Sequence, residues 1–475
     1  MALANRINVV GADELARIHE ATVQVLETTG VEFKSDEALA LFRQNGAEVD
    51  GHRVKIPRSL LEKSLESAPS SITLWGRDKE TTVTLGEGQS RTHVEPSNGC
   101  VFTHDMERGR RASTMSDLID FFKLAHQSPV CTISGAIPVE PNDVPPEERP
   151  LRIFFETLKH TTKPLKRNVQ PAREIEEMFA MYELAAGKGF LADHPAIYAS
   201  VNPLSPLAFD TEPIETIMTY ARHNQPVTVL SCALAGISAP MSLLGAAVLQ
   251  NAEILSGLVL SQMVTPGAGV IYAPATAVPN MMTAQYVTGS PESHLINIVN
   301  LQMALELYHL PTRTMAGLND AKVPDAQAGF ETMQNLMQCM LGGAHVINEC
   351  LGVLDSIMTN SFEKFIMDEE MISRVLRFME GVNGIHTDLS AELIDTIGPQ
   401  GSFLMHPTTM KNCRTAWRPT VSDWNNHEKW EKQGEEDAMV RANRIYKERL
   451  AACPESTLEP ELERDLSAFV EKHLG

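Results

Sequence analysis

The chain is short of several things. Among its 475 residues aromatic side chains make up only 6%, and basic residues are outnumbered, 40 Lys+Arg against 61 Asp+Glu. The net charge of -21 disfavours a nucleic-acid partner, which needs a basic footprint. The seven Cys (100, 131, 232, 339, 350, 413, 453) form no paired framework, which suits a reducing, cytoplasmic setting. There is no C-x-x-C and no H-x-C cluster, so neither a structural zinc nor a zinc-thiolate site is expected. No G-x-G-x-x-G follows an early strand and no glycine loop precedes a Lys, which argues against dinucleotide and P-loop chemistry. The first twenty residues lack an uninterrupted apolar core, so no signal peptide is expected. The longest apolar run, from Met241 to Val264, is broken by Gln250, Asn251 and Glu253 and reads as a buried helix rather than a membrane span.

What is present is a repeat. A His stands shortly before a Pro, and the Pro opens a short run of β-branched and apolar residues. His126 precedes Pro129, His160 precedes Pro164, His194 precedes Pro195, His223 precedes Pro226, and His309 precedes Pro311. Pro266-Gly-Ala-Gly269 is a weaker copy, and "GGAHVINECLG" from Gly342 adds a run without Pro. The prolines lie 31 to 45 residues apart, enough for one strand and one crossover helix per unit. The segments between carry apolar residues at helical spacing, as in "EIEEMFAMYELAAG" from Glu174. Seven strands opening near 130, 165, 196, 227, 269, 312 and 345, with an earlier one at Arg91–Ser97, predict an α/β fold: a (β/α)8 TIM barrel. An open doubly wound sheet is the rival.

The repeat has a physical reason. Pro cannot continue the incoming helix and is tolerated at a strand's first residue. A His in the last helical turn can donate to the free carbonyls there. The five His therefore mark the N-terminal ends of the strands and are read as structural, which puts chemistry at the opposite ends. The expected organisation is an N-terminal cap over 1–90 (helices and a short β hairpin), a barrel over 91–380, and a helical C-terminal tail over 381–475 packed on the barrel.

Polar residues collect at the expected C-terminal strand ends: Glu95 and Asn98, Ser134, Asn168 and Gln170, Asn202, Ser231 and Cys232, Tyr272, Asn319 and Asp320, and Glu349, with His345 nearer its strand's start. The set holds few strong bases and no Ser-His-Asp order. As a ring it suggests a pocket that orients a small polar ligand with little acid–base chemistry.

The tail carries a specific pattern: G-x-F-L-x-H-x-x-T from Gly401, then Arg414, Pro419-x-x-x-Asp423, Trp430, Gly434-x-x-Asp437 and Arg441-Ala442. With "IHEATVQVLETTGVEF" from Ile18, "GLNDAKVPDAQAGF" from Gly317 and "SFEKFIMDEEM" from Ser361, it resembles the trimethylamine methyltransferase superfamily over nearly the whole chain. The resemblance implies a barrel enzyme that moves a methyl group from an amine to the cobalt of a separate corrinoid protein, with no cofactor bound tightly of its own, no membrane, and a homo-oligomeric state. Members acting on trimethylamine carry a pyrrolysine; this sequence has only ordinary residues. The resemblance is thus to the branch that demethylates quaternary amines such as glycine betaine, with proline betaine, carnitine or γ-butyrobetaine as alternatives. A non-catalytic corrinoid-protein-binding barrel is a second alternative, and a metal hydrolase a third. On this reading Tyr272, aided by Phe102 or Phe209, faces the ammonium head, and Glu95 or Glu349 adds negative field. His345, Asn168, Gln170, Asn202 or Arg313 receives the carboxylate. His406 and Asp423 are read as anchors of the tail helices before any direct role.

Because zinc-ligand spacing is missing, the purified protein is expected to turn over without a metal of its own. Stoichiometric zinc by elemental analysis, with activity lost to a chelator, would overturn this.

Overall fold

The computed structural model describes residues 6–474. Seven parallel strands alternate with helices: β1 (His93–Pro96), β2 (Leu165–Arg167), β3 (Ile197–Val201), β4 (Val227–Ser231), β5 (Val270–Pro274), β6 (Arg313–Met315) and β7 (Val346–Cys350). The strand expected near 130 is an extended segment, 132–134, that pairs through a single bridge, Ser134 to Leu165. The hydrogen bonds can be followed from segment to segment. Thr132 and Ile133 donate to the Val94 carbonyl at 3.0 and 3.2 Å, and the Lys166 N–H donates to that of Ser134 at 2.8 Å. β2, β3, β4 and β5 pair in turn. A bridge from Tyr272 to Thr312 leads to β6. β6 pairs β7, and β7 pairs β1. Each strand is followed by a helix, from Met115–Gln127 after β1 to Phe362–Met379 after β7.

The His-Pro repeat falls where its physics requires. His126 and His160 lie in the last turns of their helices; His194 and His223 cap theirs. His160 meets Glu156 at 3.2 Å and His223 meets Glu176 at 2.8 Å, while His194 lies against the Phe190 carbonyl. His160 and His194 close the ends of their own helices, and His223 ties its helix end to the neighbouring helix Ala172–Ala186.

The N-terminal strand ends are stoppered. Within the N-terminal cap, Ser71–Leu74 pairs with Val83–Gly86 as a short antiparallel hairpin. Its Ile72, Leu74, Val83 and Leu85 bury against Ile133, Tyr198, Ile271 and Val346. Those four fix which face of each strand points to the hairpin, because side chains alternate. The hairpin packs across that end of the strands.

The long apolar run is the helix Leu243–Val264. It is long and apolar enough to cross a membrane, yet it is mostly buried within the protein. Three helices before the hairpin, Ala12–Gln24, Asp36–Gln44 and Arg58–Ser67, pack on it. In the tail, Ala438–Ala452 packs on Phe362–Met379, and Pro460–Leu474 on Arg149–His160 and Ala172–Ala186. Between them, Ala391–Ile397 and Pro407–Asn412 have no buried residue. His406 caps the second through its ring and Thr408, and Asp423 accepts from the Asn425 N–H. Both contacts are local.

His345 sits at the stoppered end, not at the working end. Its Nδ1 accepts from the Thr312 N–H at 3.1 Å, and its ring meets the Gly86 backbone. A cavity of about 570 Å³ opens there, lined by Arg6, Arg91, Thr92 and His345 among others. Burial, with Arg6 and His93 nearby, lowers its pKa to about 4 from 6.5. Between these values the unfolded chain binds a proton that the folded ring refuses, so His345 makes stability fall as pH falls from about 6.5 to about 4. His345→Asn keeps an oxygen for the Thr312 N–H and removes the titration. Its melting temperature, followed by calorimetry, should fall less over this window than that of the unsubstituted protein. Equal falls would show that His345 does not carry the dependence.

Candidate functional site

Strand parity selects the inward residues. Lys166 is in register with Tyr198, Thr228 with Ile271, and Arg313 with Val346. Two residues further along lie Ser200, Leu230, Ala273, Met315 and Asn348 on the same face. The lower part is apolar and sealed. Above it stand two acids and two cations.

Glu95 and Arg313 form the most enclosed ion pair of this face, with 0% and 1% side-chain exposure. Arg313 donates from Nε to both carboxylate oxygens at 3.0 and 3.2 Å and from Nη2 at 2.7 Å. This fork on a carboxylate suits the guanidinium geometry. Its Nη1 is buried and has no hydrogen-bond partner among the described residues.

Lys166 is also buried, and its Nζ donates to Asn168 Oδ1 at 2.5 Å. Burial first, and Arg313 second, lower this ammonium to about 7 from 10.5, against the pull of Glu349 and Glu95. Glu349 lies in an irregular stretch of the β7–β1 ladder, between Ile347 and Cys350, and has φ of 60°. A non-glycine residue there is uncommon and turns its side chain out of the ordinary strand alternation. The Glu349 carboxylate accepts from the Asn98 N–H at 2.8 Å and from Asn348 Nδ2 at 3.2 Å. Burial raises its pKa, and Lys166 opposes that rise.

Tyr286 stands at the open side, in the stretch after β5. Its hydroxyl lies 3.9 Å from the Met315 sulfur. Burial, then Cys232 and Glu349, push its phenol well above the ordinary range. Asp320 anchors the chain just beyond it, accepting from the Thr288 and Gly289 N–H groups at 3.0 and 2.9 Å, and from the Ser356 hydroxyl. Asn202 is exposed at the rim, with Nδ2 3.8 Å from the Cys232 sulfur.

Of the residues chosen from sequence, Glu95, Arg313, Glu349 and Asn168 thus come together, with Asn202 at the rim. Three do not. Tyr272 is one residue out of phase with Ile271, so it faces the helix layer. Its hydroxyl donates to Asn251 at 2.8 Å and its ring lies 6.2 Å from that of Tyr308. His345 belongs to the stoppered end. Gln170 turns away to the helices outside: its Nε2 donates to Glu174 at 3.2 Å and its backbone exchanges bonds with Thr216. The aromatic helpers are elsewhere too. Phe209 stacks on Phe33 at 5.2 Å, and Arg110 covers Phe102 at 3.5 Å.

Sequence reasoning missed Lys166 and Tyr286. Lys166 could have been found from alternation in "LKR" at Leu165–Arg167, where Leu165 belongs to the core and Arg167 lies over the Phe154 ring. Tyr286 lies twenty residues past Pro266, well beyond the end of β5 at Pro274. Among the described residues, no group of three or more His, Cys, Asp or Glu could hold a metal ion.

A family model described as Trimethylamine methyltransferase (MTTB) matches residues 2–474. A chain from Desulfitobacterium hafniense (strain Y51) named "Glycine betaine methyltransferase" is 34% identical over 470 residues, covering 98% of this chain and 97% of its own. An "L-carnitine:corrinoid methyltransferase" from Eubacterium limosum is 31% identical over 464 residues, covering 94% of each chain. Among solved structures, the Methanosarcina barkeri monomethylamine methyltransferase aligns with a TM-score of 0.52 at 11% identity, over 94% of this chain and 95% of its own. That likeness is one of fold. The match runs from one end of the chain to the other, and the chain belongs to the trimethylamine methyltransferase (MTTB) family of methyltransferases.

Proposed function

We propose that the protein is a cytoplasmic enzyme that takes one methyl group from a quaternary amine, glycine betaine being the best fit, and passes it to the Co(I) of a separate corrinoid protein. We read the eight hydrogen-bonded segments as a closed (β/α)8 barrel with the site at its C-terminal mouth. The observation that carries the reading is the inward set Glu95, Arg313, Lys166 and Glu349. It brings two acids and two cations together out of water, which suits a zwitterion better than a plain cation or anion. The similarity to the Desulfitobacterium hafniense glycine betaine methyltransferase supports the same choice.

The acceptor's fit rests on the mouth. Leu204, Ile237, Met241, Met281 and Met282 follow strand ends and are all more than half exposed. Contiguous exposed apolar side chains mark association surfaces, and these suit a docking protein that must reach a buried substrate. The reduced cobalt of that partner supplies the nucleophile.

The chain itself has three tasks. It holds the amine with one methyl carbon toward the mouth, it excludes water, and it leaves the nitrogen unprotonated. The breaking C–N bond leaves its electron pair on nitrogen, so a quaternary ammonium departs as a neutral tertiary amine. No proton has to move. The buried Glu349 carboxylate and the Tyr286 ring face supply the field that receives a trimethylammonium head. Orientation and desolvation are the main levers when no acid or base is used.

Trimethylamine lacks this advantage, because its demethylation must expel an amide anion unless the nitrogen is first made cationic. With a Co(I) corrinoid protein as acceptor, glycine betaine should give dimethylglycine, while dimethylglycine and trimethylamine should not react detectably. Each tenfold of discrimination is about 1.4 kcal/mol of transition-state energy, and the missing activation spans many such steps. The check is the corrinoid absorbance change on methylation, run also with carnitine, proline betaine and γ-butyrobetaine. Comparable rates with trimethylamine and glycine betaine would sink the proposal. A faster rate with another betaine would move the substrate and leave the chemistry.

A further inference from the structure

The buried lysines of this protein differ in one respect. Lys163 donates to the carbonyls of Ala125 and Cys131, both at 2.7 Å. Lys364 has Asp368 and the Thr332 hydroxyl. Lys166 has one neutral acceptor, Asn168 Oδ1, and no carboxylate within ion-pair distance among the described residues. Beside it, Arg313 is committed to Glu95 through Nε and Nη2 and keeps a buried, unpartnered Nη1. Leaving such donors unsatisfied in a dry interior is costly. An anionic ligand group would satisfy both.

Depth gives the ligand a direction. Lys166 is in register with Tyr198, and Arg313 with Val346, the side chains that rest on the hairpin. Glu349 lies three residues beyond Val346, and Tyr286 lies in the stretch after β5. The cations are therefore deep, and the acid and the aromatic ring are shallow. We propose that Lys166 is a specificity-determining residue: its ammonium, with Nη1 of Arg313, holds the carboxylate of a zwitterionic quaternary amine whose trimethylammonium head lies outward beside Glu349 and Tyr286. The inference rests on the quaternary-amine reading above and adds that the substrate must carry a carboxylate and enters carboxylate first. The reversed pose would set a cation against Lys166 and Arg313, only one of whose charges Glu95 balances, and a carboxylate against Glu349, and like charges repel at this depth. The outward pose also presents the methyl groups to the mouth.

The test is equilibrium binding by calorimetry with three probes of similar shape. Glycine betaine has both charges, 3,3-dimethylbutyrate only the carboxylate, and choline only the ammonium. On the unsubstituted protein, 3,3-dimethylbutyrate should compete with glycine betaine, and choline should bind at least about tenfold more weakly than glycine betaine. In Lys166→Met the dissociation constants of both carboxylates should rise about a hundredfold, while that of choline changes less than about threefold. Lys166→Arg should recover most of the loss. Choline binding as tightly as glycine betaine, or Lys166→Met weakening all three probes alike or none, would overturn the role of Lys166. If the unsubstituted protein binds neither glycine betaine nor choline, the quaternary-amine reading itself falls. Should Lys166→Met not fold, the ligand series on the unsubstituted protein still decides.

Discussion

The constraint on which the rest depends is the Glu95–Arg313 ion pair. Its two residues come from β1 and β6, which do not touch as strands because β7 lies between them. The pair therefore reaches across a strand, inside the inward face, with almost no exposure. Removing one partner of such a pair strands a charge and costs about 3–5 kcal/mol. The first and sixth strands are thus tied by charge across the backbone ladder of β7. The same pair sets the potential felt by Lys166, whose ammonium loses basicity to burial and to Arg313.

A charge-balanced interior is tolerable only if water is controlled. The hairpin does this on one side: Ile72, Leu74, Val83 and Leu85 form an apolar stopper, and the first charged layer begins directly above it. On the other side control is incomplete, because Asn202 is exposed and the rim is lined by mobile side-chain types such as Met281 and Met282. A sealed floor and an open rim give the site one direction of approach. Asp320 then matters at second hand: by fixing Thr288, Gly289 and Ser356 it ties two rim stretches together and sets where Tyr286 stands.

The strand and helix alternation was legible in the sequence because Pro and His act locally. A Pro ends one helix and opens one strand whatever surrounds it, so Pro164, Pro195, Pro226 and Pro311 each placed a strand start within a residue or two. The polarity of the strands followed from the same residues. Side-chain direction was less legible, since it alternates with period two and a one-residue error reverses it. Tyr272 was taken for a site residue by its position along β5, yet it faces Asn251 and Tyr308 on the helix side. Glu349 faces inward through an irregularity with positive φ that its sequence does not signal. Lys166 was passed over because it stands at the start of its strand, where no site residue was expected, although alternation along Leu165–Arg167 sets it apart from its neighbours.

The site's chemistry follows from what its groups are already doing. Glu349 accepts from Asn98 and Asn348, and Glu95 is held by Arg313. Tyr286 is a phenol made less acidic by its surroundings. These groups can supply fixed charge, fixed dipoles and an aromatic face, all without reorganising. Preorganised groups of this kind accelerate a reaction most when charge shifts between atoms they already address. In the proposed reaction the positive charge of the ammonium disappears as the C–N bond breaks. A field that favours the cation by too much would therefore hold back the reaction it binds for. Lys166 and Arg313 beneath the acids temper that field, which gives the balanced set a reason beyond solubility of its own charges: it can hold a zwitterion firmly while leaving the departing nitrogen free to become neutral.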